Sequence, residues 1–204
     1  MSARTANGLP LPPQQPASTT DLPLQVREIS IHFQVGKRTI TALENLSFSI
    51  KQGIVTGLIG ADGAGKTTLM RLASGLLVPD SGSLSVLGHD ATHESLTVQG
   101  MIGYMPQRFG LYEDLTVQEN LDRYSDLQGV ADDKRPVRYA QLMEMTGMAS
   151  FTGRLAGRLS GGMKQKLGLA CTLIRPPRFL LLDEPTVGVD PVSRRELWNI
   201  VYHQ

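Results

Sequence analysis

The stretch Gly60-Ala61-Asp62-Gly63-Ala64-Gly65-Lys66-Thr67-Thr68 constrains this chain more than any other. It fits G-x-x-x-x-G-K-[ST], a loop whose backbone N–H groups cradle phosphate when it lies between a strand and a helix. Both neighbours are expected here. Ile54-Val55-Thr56-Gly57-Leu58-Ile59 is an apolar run of the length of a buried strand. From Thr68 to Ala73 the chain reads as a helix, with Leu69, Leu72 and Leu76 at helical spacing. Gly60, Gly63 and Gly65 allow backbone conformations closed to other residues, so successive N–H groups can turn toward one anion. The start of the helix adds its positive dipole end. Lys66 is a cation placed to reach the outer phosphates. Thr67 offers a hydroxyl to Mg²⁺, a hard cation that takes oxygen ligands. The pattern therefore predicts a site for a nucleoside triphosphate with magnesium, against the alternative of a glycine-rich turn that merely contains Gly-Lys-Thr.

Two further stretches bear on phosphate chemistry. Phe179-Leu180-Leu181-Leu182 has the all-apolar pattern of a strand buried on both faces, and it ends in Asp183-Glu184. Beside a phosphate loop, Asp183 is placed to hold magnesium through water, and Glu184 to polarise a water for attack on the γ-phosphate. Taken alone, the pair reads equally well as solvated acids in a turn. In Leu159-Ser160-Gly161-Gly162-Met163-Lys164-Gln165-Lys166 a Ser and two glycines open a helix, which makes either a second anion site or an ordinary N-cap.

The rest of the chain supplies the frame. Residues 1–24 are rich in Pro, Ala, Ser, Thr and Gln, and read as a disordered leader without the apolar core of a signal peptide. Val26 to Phe33 and Ile40 to Ile50 alternate as strands, Ser83 to Leu87 is another, and Met101 to Met105 is apolar. Thr116 and Glu119 form a capping box for a helix reaching Leu127; further helices are expected over Val137 to Met145, Gly161 to Ile174, and from Pro191 onward. Strands alternating with helices imply an α/β fold with a mostly parallel sheet, together with a helical subdomain over about 113–160. Net charge is +1 with no long basic stretch, so no nucleic-acid surface is expected. No apolar run reaches the ~18 residues of a membrane helix, so any work at a membrane would go through a partner. Cys171, the one cysteine, fits a reducing compartment and reads as a small core residue. His32, His89 and His93 show no metal pattern, and Trp198 reads as core.

Together these stretches resemble the ATP-binding subunits of ABC transporters, from about Val26 to the end. The resemblance implies a P-loop NTPase core with an antiparallel β subdomain and a helical signature subdomain. It makes 60–68 the Walker A loop, Gln107 the Q-loop glutamine that senses magnesium and water, Ser160, Gly161 and Gly162 the signature, and Asp183 the Walker B carboxylate. It further makes Glu184 the catalytic base and Val187-Gly188-Val189-Asp190 the D-loop, and it puts Phe33 where an aromatic stacks on adenine, although a core Phe is an equal reading. The implied mechanism sandwiches ATP between two such domains, the signature of one closing over the loop of the other, on the cytoplasmic face of the cell membrane beside a permease. Tyr104-Met105-Pro106-Gln107, the segment Gly110 to Thr116, and Leu159 to Leu167 resemble the drug-exporter branch, and within it the first half of a tandem subunit.

The sequence departs from that pattern in places. Met163 stands where the signature often has Gln, and Val187 and Val189 make an unusual D-loop. The family carries a switch histidine at the end of a further strand that lies between the Walker A and Walker B strands; His203 sits on the terminal helix and is not that residue. Residues 1–204 are accordingly expected to be an incomplete ATP-binding domain with a gap in its sheet. The leading expectation is an ATPase powering export; the alternatives are a module that binds ATP without turnover, and a soluble ABC ATPase acting elsewhere.

Overall fold

In the computed structural model, which describes residues 22–202, the alternating segments form β1 (Leu24–Val35) and β2 (Arg38–Ile50), an antiparallel ribbon closed by a turn with Gly36 at φ 61°. β1 is central: β2 pairs on one side and β3 (Ser81–Val86) on the other, with β4 (His89–Asp90) at the far edge. Leu24, Val26, Ile29 and Ile31 of β1 turn inward and pack with Leu69, Leu72 and Ala73 of α1 (Lys66–Ala73), and with Val98 of α2 (Ser95–Met101). Period-2 burial of β1 against period-3.6 burial of α1 is what makes this first core. The leader expected over residues 1–24 lies almost wholly outside the described residues, as does His203; Leu24 already belongs to β1.

A second core gathers α3 (Val117–Leu127), α4 (Arg135–Thr146), α5 (Gly161–Thr172) and α6 (Pro191–Tyr202) around Leu121, Leu142, Leu167, Leu169, Leu173 and Leu197. The expected capping box is present: Glu119 N donates to Thr116 Oγ1 at 3.2 Å, and Thr116 N to Glu119 Oε2 at 2.7 Å. Gln128 Nε2 donates to the Cys171 carbonyl and Arg138 to those of Leu173 and Ile174, which satisfies the carbonyls left open at the end of α5. Cys171 is buried in this core, as expected, and its burial pushes the thiol pKa up.

Between the two cores run β5 (Ile102–Met105) and β6 (Phe179–Leu182), paired in parallel with Tyr104 opposite Leu181. Ile102, Tyr104, Phe179 and Leu181 face the first core; Met105, Leu180 and Leu182 face the second. An apolar layer on each face explains why β6 shows no polar alternation.

Four expectations are corrected. Residues 54–59 form no strand: among the described residues no backbone hydrogen bond reaches them, and Ile54, Val55, Leu58 and Ile59 are exposed, Ile59 at 96%. The parallel sheet is therefore two-stranded, and no described strand lies alongside 54–59 to take its hydrogen bonds. A buried aliphatic stabilises by about 1.5–3 kcal/mol; Ile54, Val55 and Leu58 gain about half of that and Ile59 almost none. Leu76 falls beyond α1 and is exposed. Trp198 is half-buried against Tyr202, while Leu197 and Ile200 fill the core from α6. No local pattern marks helix α2, because Ser95-Leu96-Thr97-Val98 offers one buried residue and no cap signal. In hydrogen exchange, amides of 54–59 should exchange near the rate of unstructured peptide while those of 179–182 are protected. Protection of both segments alike would mean that 54–59 is a paired strand.

Candidate functional site

The loop 60–68 enters α1 through Gly65, whose φ of 86° is left-handed. A β-carbon there would stand 2.5 Å from the Ala42 carbonyl oxygen and 2.7 Å from Leu43 Cδ2, so β2 fixes how closely the loop lies against it. Gly63 also has a positive φ, 77°, but open space around it; Gly60 does not need the left-handed region. The loop closes on itself through Ala64 N donating to the Ala61 carbonyl at 3.1 Å. Lys66 Nζ donates to the carbonyls of Gly60 at 2.8 Å and Ala61 at 2.9 Å, which holds the ammonium over the loop's mouth. Ala61, Asp62 and Ala64 are exposed there, and Thr67 and Thr68 are half-buried in the first turn of α1.

The end of β6 meets this loop. Lys66 Nζ is 4.0 Å from Glu184 Oε1, and Gln107 Nε2 donates to Glu184 Oε2 at 2.8 Å. Three residues separated by 41 to 118 positions in the sequence thus share one point. Glu184 takes φ 51°, a conformation that costs a non-glycine residue about 1–2 kcal/mol, and at this turn it aims the carboxylate back between Lys66 and Gln107. Asp183 is 1% exposed, anchored by its N–H to the Met105 carbonyl at 2.9 Å. Its Oδ2 has no hydrogen-bond partner among the described residues, nor has Tyr104 Oη. An unpaired buried polar atom costs about 1–3 kcal/mol. The Asp183 carboxylate, the Thr67 hydroxyl and the Gln107 amide supply oxygen donors of the kind a hard divalent cation such as Mg²⁺ takes. Burial pushes the Tyr104 hydroxyl pKa up, the Asp183 carboxylate adds to the rise, and the Arg71 guanidinium opposes both.

The other expected residues lie apart from this point. Ser160 N-caps α5, its Oγ accepting from Met163 N at 3.3 Å. A β-carbon on Gly162 would meet Ser193 Cβ and Oγ at 2.8 Å, and one on Gly161 the Gly188 carbonyl oxygen at 3.2 Å. The glycines of this turn thus let α5 seat against the start of α6. Asp190 N-caps α6, its Oδ1 accepting from Val192 N and Ser193 N, and hydrogen bonding at Ser193 holds its carboxyl below the usual range. Phe33 is exposed on β1 and packs into neither core, which rules out the core reading. His32, His89 and His93 pair with Asp80, Glu94 and Asp90, and no group of three His, Cys, Asp or Glu side chains that could hold a metal forms among the described residues. Residue-level reading missed the wall of Ala42 and Leu43 behind Gly65, which no local pattern marks. Tyr104 did carry a signal, a polar tip in an otherwise apolar strand.

A glycine-built loop opening a helix, opposite an acidic pair at the end of a buried strand, defines a P-loop nucleoside triphosphatase domain of the α/β class. The family model described as ABC transporter matches residues 43–187, and the chain belongs to that family as an ATP-binding domain. The probable multidrug ABC transporter ATP-binding protein YbhF of Escherichia coli is 60% identical over 161 residues, covering 79% of this chain and 28% of that protein. The doxorubicin resistance ATP-binding protein DrrA of Mycobacterium tuberculosis is 37% identical over 166 residues, 81% of this chain and 50% of that one. The chain thus spans between about a quarter and a half of the length of these relatives. A solved ATP-binding subunit of an ABC transporter superposes with a TM-score of 0.75 at 27% identity over 88% of this chain and 73% of its own. The cassette MJ0796, solved as a dimer bound to ADP and Pi, shares the fold, with a TM-score of 0.79 at 23% identity over 87% and 81% of the two chains.

Proposed function

We propose that this domain binds ATP with Mg²⁺ in the loop 60–68 and hydrolyses it, the turnover driving export of a substrate through a partner permease. The observation that carries this reading is the convergence of Lys66, Gln107 and Glu184 on one point beside the buried, unpaired Asp183. Lys66 and the loop amides hold the β- and γ-phosphates. Thr67, Gln107 and, through water, Asp183 hold the magnesium, which when bound neutralises charge on the phosphate oxygens. Glu184 accepts the proton of the attacking water, and Gln107 orients it. Exposed Phe33 is available to stack on adenine.

Ser160, Gly161 and Gly162 pack toward 188–193 and not toward 60–68, which supports their serving the loop of a second ATP-binding domain, in the same longer chain or in another copy. Asp190 would sit at the same contact. The likeness to proteins named for multidrug and doxorubicin resistance supports drug-like cargo. Among the described residues no helix is long and apolar enough to cross a membrane; the likeness to ATP-binding subunits of ABC transporters supports a peripheral place on the cytoplasmic face, beside the permease. One observation favours a second reading, binding without turnover: the segment leading into the loop is unpaired over 54–59, so the loop is held mainly through α1 and β2.

Calorimetric titration of the chain with ATP and Mg²⁺ tests the common ground. Lys66→Ala removes charge-assisted hydrogen bonds worth about 1.5–3 kcal/mol each, so affinity should fall roughly 10- to 100-fold. Equal affinity in wild type and variant, or no binding in either, would sink the assignment.

A further inference from the structure

Tyr104 and Asp183 stand on neighbouring strands and on one face of the sheet. Tyr104 is opposite Leu181 in the parallel register, and Asp183, two residues further on, projects to the same side. The ladder continues to that point, because Asp183 N donates to the Met105 carbonyl. Diagonal neighbours of this kind lie about 7–8 Å apart at the backbone, within reach of a tyrosine. Each ends in an enclosed polar atom without a partner, Tyr104 Oη and Asp183 Oδ2, and among the described residues these are the two such side-chain atoms. One is a hydroxyl that must donate to be satisfied; the other is a carboxylate oxygen that must accept. Nothing else described near them completes both.

We propose that Tyr104 is a positioning residue for Asp183: its hydroxyl donates to Oδ2 through one buried water, and this turns the other carboxylate oxygen toward the metal side of the loop. A buried water needs two to four polar partners, and these two atoms supply two of them. Without the tyrosine the carboxylate loses its rear support and can rotate, so metal binding weakens while the phosphate-binding loop is unaffected. Groups that hold a metal ligand from behind typically govern metal affinity by 10- to 100-fold. The inference rests on the magnesium–ATP reading above.

The test uses Mn²⁺ as the probe, titrated against the full chain with ATP and read by the loss of the free-ion electron paramagnetic resonance signal. Tyr104→Phe keeps the ring in place and should weaken Mn²⁺ binding 10- to 100-fold, while ATP affinity in excess chelator stays at the wild-type value. In an Asp183→Asn background the same change should have no further effect, because the tyrosine acts through that carboxylate. Unchanged Mn²⁺ affinity in Tyr104→Phe would overturn the proposal, and so would an undiminished effect in the Asp183→Asn background. If instead the wild-type chain binds no ATP in chelator or in metal, the nucleotide reading has failed and takes the inference with it.

Discussion

Glu184→Gln should leave ATP binding within about twofold of wild type and reduce hydrolysis by roughly 10²–10⁴, the usual contribution of a positioned general base. The geometry makes this substitution sharp. Gln keeps the shape and retains an oxygen that can still accept from Gln107 Nε2, the partner seen at 2.8 Å. It gives up only the charge beside Lys66 and the ability to take a proton. Affinity should hold or rise slightly, since a negative group near the γ-phosphate has been neutralised. Steady-state phosphate release and equilibrium ATP binding, measured on the longest natural chain that carries this domain, separate the two effects. Unchanged hydrolysis would take the base role from Glu184. Absence of hydrolysis in the wild type as well would favour the binding-only reading, with Glu184 serving as a counter-charge to Lys66.

Gly65→Ala should be the most damaging single-methyl change in the loop. At φ 86° an alanine is strained by about 1–2 kcal/mol. Its β-carbon would also lie 2.5 Å from the Ala42 carbonyl and 2.7 Å from Leu43, so loop or strand must move, at about 1–3 kcal/mol more. The sum, about 2–5 kcal/mol, is a large part of the ~5–15 kcal/mol that holds a domain together. Gly63→Ala provides the comparison: it shares the positive φ but meets no atom within 4 Å, so only the conformational cost applies. Urea midpoints should therefore fall far more for Gly65→Ala than for Gly63→Ala, and ATP affinity should follow. Equal midpoints would show that the contact with β2 does not constrain the loop.

Much of the site is legible without coordinates because its signals are local. Glycine at fixed offsets, Lys66 and Thr67 at the helix start, and an acidic pair ending an apolar run each state a backbone requirement in neighbouring residues. The capping box of Thr116 and Glu119 and the N-cap at Ser160 were readable for the same reason. Apolar pattern failed at 54–59, since a run of Ile, Val and Leu says that a strand would be stable if paired but cannot say that a pairing strand is present. It failed for Trp198 because helical spacing does not tell which side of α6 meets the core.

Residue types within a few positions of one another set the chemistry: a loop able to bind phosphate, a cation to meet it, and carboxylates at the end of a buried strand. Long-range packing alone makes Gln107 and Glu184 share a hydrogen bond, seats α5 on α6 at Gly161 and Gly162, braces the loop at Gly65 with β2, and puts Asp183 and Tyr104 on one face of the sheet. Those facts depend on contacts between segments tens of residues apart. Such contacts are fixed by which faces can be buried together, which no local pattern specifies.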